Sequence, residues 1–219
     1  MTKNFKKYLI LGFLFFFPIF VYVFLSTGIN NFAKLPVLTY GVNDIVDLEG
    51  NLSKVSLRDN ISIVGFWGGD IENKKSEALN LNQKIYKRFY EFQDFQFVFL
   101  YNIEESKAIE DLKLELISGV GTDLKKWNFI PTSQSSINDV FTSFKTNIEL
   151  DENFSTPYVF IVDRDLSLRG RDDDEDTGML FGFNSQSVAE INNKMVDDVK
   201  IILAEYRLAL KKNDSLFNE

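Results

Sequence analysis

The hydrophobic residues of this chain begin as one long block and continue as short runs between polar segments. Residues 8–25 carry no charge and are almost wholly apolar, so a helix here would span most of a hydrocarbon layer of about 30 Å. The block predicts a transmembrane helix that contacts the lipid bilayer. Lys3, Lys6 and Lys7 precede it, and the positive-inside rule then predicts a cytoplasmic N-terminus.

A cleaved signal peptide is the competing interpretation of this block. Its apolar core would be shorter, about 7–15 residues, and an Ala-x-Ala-like cleavage site would follow it. The segment "LSTGIN" is a poor version of such a site, and a lipoprotein signal would need a cysteine, which the chain lacks. We therefore expect an uncleaved signal anchor.

The anchor divides the chain into five predicted parts. Residues 1–7 form the cytoplasmic N-terminus, 8–25 the transmembrane helix and 26–34 a polar linker. Residues 35–212 form one domain on the extracytoplasmic, periplasmic side, and 213–219 form a C-terminal tail. A chain of 219 residues is long enough for such an anchor and one domain with a buried core.

Short apolar runs predict the strands of this domain, and spacings of three and four predict its helices. Three continuous runs are typical of strands buried on both faces: 61–67, 95–101 and 157–163. Helices are predicted to begin near Ser76, Asn102, Ser136 and Ser187, where Ser187-x-x-Glu190 has the capping-box pattern. Alternating strands and helices predict an α/β fold with a mixed, largely parallel sheet covered by helices.

Three further segments predict the edges of the sheet. Residues 35–41 favour an edge strand because Pro36 stands at its start. The segment "LSLRG" follows Arg164-Asp165 and predicts a strand that pairs with the run at 157–163. Between residues 45 and 57, apolar and polar residues alternate around Glu49-Gly50-Asn51, which predicts a β-hairpin.

Charge and composition exclude several kinds of function. The net charge of −8 and the lack of a basic stripe argue against nucleic-acid binding, which requires neutralisation of phosphates. With Cys 0 and His 0, the chain has no thiolate nucleophile, dithiol couple or imidazole base, and no thiolate or imidazole metal ligand. Carboxylate, lysine, tyrosine or hard-cation chemistry remains, or no chemistry at all.

Three stretches of the domain resemble the Sco/SenC family of membrane-anchored, thioredoxin-fold proteins. They are "GNLSKVSLRDNISIVGFWG", "KKWNFIPTS" and "STPYVFIVDRDLSLRG", and the resemblance covers residues 35–170. It implies a thioredoxin-like sheet and a role linked to copper delivery and cytochrome c oxidase assembly. Thr156-Pro157 also looks like the cis-proline step of thioredoxin and of membrane-anchored thiol reductases, which positions a partner chain beside the reactive loop.

The chain departs from this family at the reactive site. Family members carry a Cys-x-x-x-Cys pair just after the first central strand and a distant His that completes a copper site. The resemblance places these three positions at Gly69, Asn73 and Ser155, none of which can bind copper as its counterpart would. We therefore expect a vacated site, with no resident metal and no cofactor.

The loop after the first central strand could still bind another molecule. Gly68 and Gly69 would let a second backbone approach closely, or they form only a turn between strand and helix. Trp67 packs beneath this loop or serves as a recognition aromatic. With Thr156 and Pro157 opposite, Trp67 and Gly68 define a candidate groove for a peptide or a small molecule.

The acidic stretch "RGRDDDEDTGMLFGF" (169–183) allows three interpretations. Its five consecutive carboxylates belong to Asp172, Asp173, Asp174, Glu175 and Asp176. They form a solvated loop, they bind Ca²⁺, or they dock a basic protein surface beside an apolar anchor that includes Phe181. The run lacks the alternating ligand spacing of a calcium loop.

These patterns together predict a membrane-anchored, non-redox, thioredoxin-like protein that is not an enzyme. By analogy with the family it would be an accessory or assembly factor, bound to a protein partner in or on the membrane, such as a respiratory oxidase complex. The alternatives are a carboxylate- or Ca²⁺-dependent enzyme that uses residues 172–176, and a peptide- or small-molecule-binding domain that uses the former thioredoxin groove.

Overall fold

The computed structural model describes residues 3–26, 34–120 and 123–217. The chain separates into two compact units, residues 1–33 and residues 34–219. In the first unit, helix α1 runs from Lys3 to Ser26 and contains Pro18. Its segment Phe5–Phe24 is long and apolar enough to cross a membrane, a test that a signal sequence also passes. The predicted linker lies almost entirely outside the described residues.

The second unit is built on a mixed sheet. Its strands, as described, are β1 (Val37–Tyr40), β2 (Ile61–Gly68), β3 (Phe95–Asn102), β4 (Trp127–Thr132), β5 (Tyr158–Val162), β6 (Ser167–Arg169), β7 (Arg171–Asp174), β8 (Gly178–Leu180) and β9 (Phe183–Asn184). The central order is β1-β6-β5-β2-β3-β4, β9 adds to β5, and β7 and β8 form a separate ribbon.

The direction of the strands makes the sheet thioredoxin-like. Strands β2, β3 and β4 run parallel, whereas β5 is antiparallel to β2 and β6 is antiparallel to β5. Every residue of β2 is buried, because a strand at the centre of a doubly covered sheet contacts side chains on both faces. The predicted fold class and its three buried runs are confirmed.

Helices cover both faces of this sheet. The α-helices of the second unit are α2 (Lys75–Leu81), α3 (Lys87–Phe89), α4 (Ser106–Val120), α5 (Gln134–Ser143), α6 (Val188–Glu190) and α7 (Val196–Phe217). Single turns of other helix types join some of them: Ile71–Lys74, Asn82–Tyr86, Ile103–Glu105 and Ile191–Met195. One apolar cluster lies between the sheet and α2, α4 and α7, and a second lies beneath α5. The domain core is therefore divided by the sheet.

The capping pattern at Ser187 is confirmed, since its hydroxyl oxygen accepts a hydrogen bond from the Glu190 amide. The helical stripe after it is buried at Ile191, Met195 and Val199. Helix α7 runs on to Phe217, so its end lies within the segment predicted to be the tail.

The predicted hairpin between residues 45 and 57 is wrong, because this segment contains no strand. Its backbone groups are satisfied by turns and by side chains instead of a ladder. The Asn51 amide donates to the carbonyls of Ile45 and Val55, and its oxygen accepts from the Val55 amide. Asp44 accepts from the amide of Leu57. Two buried apolar anchors, Ile45 and Leu57, then fix the loop over the second cluster.

Candidate functional site

The loop that follows β2 is filled by a neighbouring segment of the same chain. Gly68 has φ +53°, and a Cβ atom there would lie 2.0 Å from the carbonyl oxygen of Asn153. The amide of Gly69 donates to that same oxygen at 2.9 Å. The glycines therefore do allow a second backbone to approach, and in this molecule the segment around Asn153 supplies it.

Trp67 lies beneath the loop and contributes no surface. Its side chain is fully buried and stacks on Phe99, with ring centroids 4.0 Å apart. Phe129 contacts the same indole at 5.9 Å. Because a buried ring cannot contact a partner, Trp67 is not part of an exposed groove, and its role is to support the end of β2.

The three family positions do not form a common ligand set. Asn73 is exposed, and its amide donates to the Asp70 carboxylate at 2.6 Å. Ser155 is buried, and its hydroxyl has no hydrogen-bond partner among the described residues. Gly69 offers no side chain. A copper ion, which requires soft or imidazole ligands, does not fit these residues.

A buried ion pair lies directly after the family positions. The Lys74 ammonium is 3.2 Å from a carboxylate oxygen of Glu77, and the two side chains are 4% and 1% exposed. The same ammonium donates to the carbonyl oxygen of Thr156 at 3.4 Å. Glu77 also accepts from Gln186 at 2.9 Å and from Ser185 at 3.1 Å. These contacts join the start of α2 to two segments that are distant in the chain, one at Thr156 and one at residues 185–186.

Sequence reasoning missed this pair. The signal was a lysine and a glutamate three residues apart, on the same helical face as the buried Ala78 and Leu81. A charged pair on an apolar face is compatible with burial only when both groups are paired and hydrogen-bonded, as they are here.

The prediction that Thr156-Pro157 is a cis-proline step is wrong, because no cis peptide bond occurs in the described residues. Backbone polar groups of this segment are also hydrogen-bonded to other parts of the chain. The Thr156 amide donates to the carbonyl of Phe66, and the Pro157 carbonyl accepts from the amide of Ser185 at 2.9 Å. These backbone groups are therefore unable to pair with a partner chain, as a cis-proline loop would.

The acidic run forms the β7–β8 hairpin, which is tied to the C-terminal helices. The ammonium of Lys194 donates to Asp174 at 2.8 Å and to Asp176 at 2.7 Å. Arg171 donates to both carboxylate oxygens of Asp198, each at 2.8 Å. Such paired charge-assisted bonds fix orientation as well as distance. These contacts therefore fix the hairpin against the C-terminal helical segment.

Its five carboxylates do not share one environment. Asp174 is buried, and its hydrogen bond from Lys194 lowers the pKa of this carboxyl. Asp172, Asp173 and Glu175 are exposed. Burial raises the pKa of Asp198 on α7, although Arg171 opposes that effect. Asp176 is also exposed but pairs with Lys194, so the other three exposed acids are the ones available to a partner without breaking contacts inside the domain.

One cleft brings together two features that the sequence placed far apart. It has a volume of about 460 Å³. Thr156 and Pro157 of the candidate groove line one side, and Phe181 of the candidate docking segment lines another. Ile148 and Glu149 complete the wall. The structure therefore brings parts of the groove and of the docking segment into one cleft, which neither Trp67, Gly68 nor the five acids line.

Comparisons with known proteins give likenesses to solved structures alone. No family model matches the sequence, and no curated protein matches it. The chain is similar to the soluble domain of Sco1 from Bacillus subtilis, with 19% identity and a TM-score of 0.45 over 76% of this chain and 94% of that chain. It is similar to a SCO1/SenC family lipoprotein from Bacillus anthracis, with 11% identity and a TM-score of 0.45 over 80% and 99%.

The chain is also similar to a thiol:disulfide interchange protein from Bacteroides sp.. Its identity is 16% and its TM-score 0.40, over 63% of this chain and 79% of that chain. At identities this low, the likeness concerns the fold and not the chemistry. The description of the sheet as thioredoxin-like rests on the strand order of this chain itself.

Proposed function

We propose that this chain is a membrane-anchored, non-redox, thioredoxin-like protein that acts by binding a protein partner in or on a membrane. The proposal combines a composition without cysteine or histidine with a helix of membrane-spanning length. It also uses the cleft beside Pro157, which is the concave surface that both candidate sites share.

The observation that carries the proposal is the buried Lys74–Glu77 pair. In a redox member of this fold, a thiolate in this loop must be accessible to the disulfide that it attacks. Here the helix start after this loop is held by an ion pair and by a hydrogen bond to Thr156. The Asn153 backbone covers the adjacent glycines. These contacts favour a fixed binding scaffold over a reactive loop.

The finer assignment rests on the family resemblance of the sequence. By that analogy the chain is an accessory or assembly factor for a membrane complex, such as a respiratory oxidase, and its domain lies on the extracytoplasmic side. The three lysines before the apolar block support this orientation. No cofactor and no nucleic acid takes part in this function.

The Ca²⁺-dependent alternative gains no support from the acidic hairpin. The ammonium of Lys194 lies between Asp174 and Asp176, where a cation would otherwise neutralise them. Among the described residues, no group of three or more acids is arranged to hold a metal ion. We therefore propose no enzymatic function.

Capture of the partner tests the proposed function. The full-length protein is tagged at its C-terminus, extracted from its native membrane with a mild detergent and purified, and the copurifying proteins are identified by mass spectrometry. A control protein carries residues 1–34 in front of an unrelated soluble domain. We expect a membrane complex that is recovered with the full chain and not with the control. Recovery of the same proteins with both, or of none, would contradict the proposal.

A further inference from the structure

Three segments that are distant in sequence build the cleft beside Pro157. They are residues 147–149, residues 156–158 and residues 177–182. The third segment belongs to the β7–β8 hairpin and the turn after it, which lie between the last central strand and the C-terminal helices. The cleft is within the size range of pockets that enclose side chains or small ligands.

The hairpin wall of the cleft is firmly held. Leu180 is 6% exposed and Phe183 is fully buried, so both anchor the wall in the core. A Cβ atom on Gly182 would lie 2.8 Å from the ring of Phe160, which shows how closely the chain returns to the sheet. Ion pairs of Arg171 and Lys194 hold the other end of the hairpin. The cleft is therefore preformed, which lowers the entropic cost of binding.

Apolar side chains remain accessible in this rigid wall. Met179 is 45% exposed, and Pro157, Tyr158, Phe181 and Ile148 are half-buried. Methionine adapts its shape to an incoming side chain, and aromatic and proline rings provide apolar area at a low entropic cost. This combination suits one large apolar side chain of a partner.

The residues that line the cleft carry charge of a single sign. Glu149 is the one charged residue among those that line it, and none of them is basic. The hairpin that forms one wall carries further exposed acids, at Asp172, Asp173 and Glu175. In the segment after α5, Glu152 is an exposed acid and Lys145 an exposed base. Lys194, a lysine that contacts the hairpin, is already paired with the carboxylates of Asp174 and Asp176. Its charge therefore does not cancel the negative field of the exposed acids.

We infer that this cleft binds an extended basic segment of a protein partner, with one large apolar side chain of that segment inserted between Met179 and Pro157. The inference rests on the proposed function and names the chemistry of its partner. Acids around an apolar centre attract Lys and Arg side chains and give the encounter its orientation, while the buried side chain supplies the affinity. An anionic lipid surface would be repelled by the same acids.

Peptide binding to the full-length protein tests this inference. The protein is placed in nanodiscs of phosphatidylcholine, with empty nanodiscs as background. The probe is a fluorescein-labelled peptide in which Lys and Arg alternate with Leu and Phe. One matched peptide carries Glu in place of the basic residues, and another carries Ser in place of Leu and Phe. We expect the first peptide to bind at least about tenfold more tightly than either matched peptide, and its affinity to fall as salt is added.

Variants locate the binding surface. Met179→Ser and Glu149→Lys each weaken binding of the basic peptide by roughly tenfold. Their matched controls are Leu52→Ser, at an apolar residue that is 90% exposed, and Asp47→Lys, at a side chain that is 95% exposed. Neither control residue lines the cleft, and both variants should bind as the original protein does. Unchanged tryptophan fluorescence confirms that each variant is folded.

The outcomes separate this inference from the proposed function. Equal binding of the basic and acidic peptides, or full binding by both cleft variants, overturns the inference. Recovery of the membrane partner by a Met179→Ser variant at the level of the original protein also overturns it, and leaves the proposed function intact. Specific peptide binding that the cleft variants remove supports the inference, even where no membrane complex is captured and the proposed function fails.

Discussion

The ammonium nitrogen of Lys74 lies 3.2 Å from a carboxylate oxygen of Glu77, within a segment where both side chains are almost fully buried. Two charges removed from water in this way require each other, because neither could be buried alone without a large desolvation cost. Hydrogen bonds from Ser185 and Gln186 satisfy the remaining capacity of the carboxylate. The start of α2 is thereby attached to the segment before α6.

Replacing Lys74 with methionine should destabilise the domain strongly. The Lys74→Met variant leaves Glu77 as an uncompensated buried charge, and we expect a loss of about 3–5 kcal/mol in the free energy of unfolding. The double variant Lys74→Met/Glu77→Leu removes both charges and should recover most of that loss. Urea unfolding followed by the fluorescence of the buried Trp67 and Trp127 measures both changes.

A neighbouring ion pair provides the control for this prediction. Lys75 contacts Glu115 at 2.7 Å, but these side chains are 54% and 46% exposed. Lys75→Met should therefore cost less than about 1 kcal/mol. If the Lys74 and Lys75 variants lose the same stability, the buried pair does not stabilise the start of α2 as we infer.

Substitution of Gly68 tests the close approach of Asn153. Gly68→Ala adds a Cβ atom 2.0 Å from a backbone oxygen at φ +53°, and we expect a cost of about 2–5 kcal/mol. Gly178→Ala is the matched control, because Gly178 has φ +73° with nothing within 4 Å of the added atom. That variant should cost about 1–2 kcal/mol, for the backbone conformation alone. Equal losses in urea unfolding would show that the contact with Asn153 is unimportant.

Local patterns predicted most of the fold. The buried strands were readable because their residues are apolar on both faces, and the capping box at Ser187 was readable because its two residues are close in sequence. Strand β4 was not predicted, since Pro131 interrupts its apolar pattern and pairing with β3 determines it. The hairpin expected around Glu49 failed because the side chain of Asn51 replaced the backbone ladder.

The candidate site was only partly predictable, for a related reason. Composition and the family resemblance identified the vacated positions, and the charge pattern identified the acidic run. Lys194 is 18 residues beyond Asp176, and nothing local indicates that its ammonium pairs with the run. Ile148 and Phe181 are likewise distant in sequence, so the cleft between them depends on tertiary packing. Long-range contacts of this kind determined which acids stay free.

Metal addition should leave the stability of the protein unchanged. A ligand that binds only the folded state raises the free energy of unfolding, by about 4 kcal/mol at a thousandfold excess over its dissociation constant. Neither the family positions nor the acidic hairpin offers a suitable ligand set. We therefore expect thermal unfolding at the same temperature with Cu(I), with Ca²⁺ and with EDTA. A metal-dependent rise that disappears in Asp173→Asn would revive the Ca²⁺-dependent alternative.

Acid should release the hairpin from the C-terminal helices. The hydrogen bond from Lys194 lowers the pKa of Asp174 in the folded state. A lowered pKa means that the pair contributes stability above the unfolded value, about 3.9 for an aspartate, and that this contribution is lost as the pH falls through the folded value. At neutral pH, Asp174→Asn should therefore cost about 1.5–3 kcal/mol, the range for a hydrogen bond to a charged group.

The contribution of Asp174 is isolated by the difference in unfolding free energy between the original protein and Asp174→Asn, measured as a function of pH. Asp198 acts in the opposite direction, because burial raises its pKa and its contribution is lost as the pH rises through the folded value. Asp198 is present both in the original protein and in the Asp174→Asn variant, so its effect cancels in the difference between their free energies of unfolding. That difference should narrow from neutral pH to about pH 3, and it should do so for Asp174→Asn alone. The control Asp197→Asn removes an exposed pair with Lys200 and should change stability by less than about 1 kcal/mol. A gap for Asp174→Asn that stays constant with pH would show that its carboxylate does not hold the hairpin through charge.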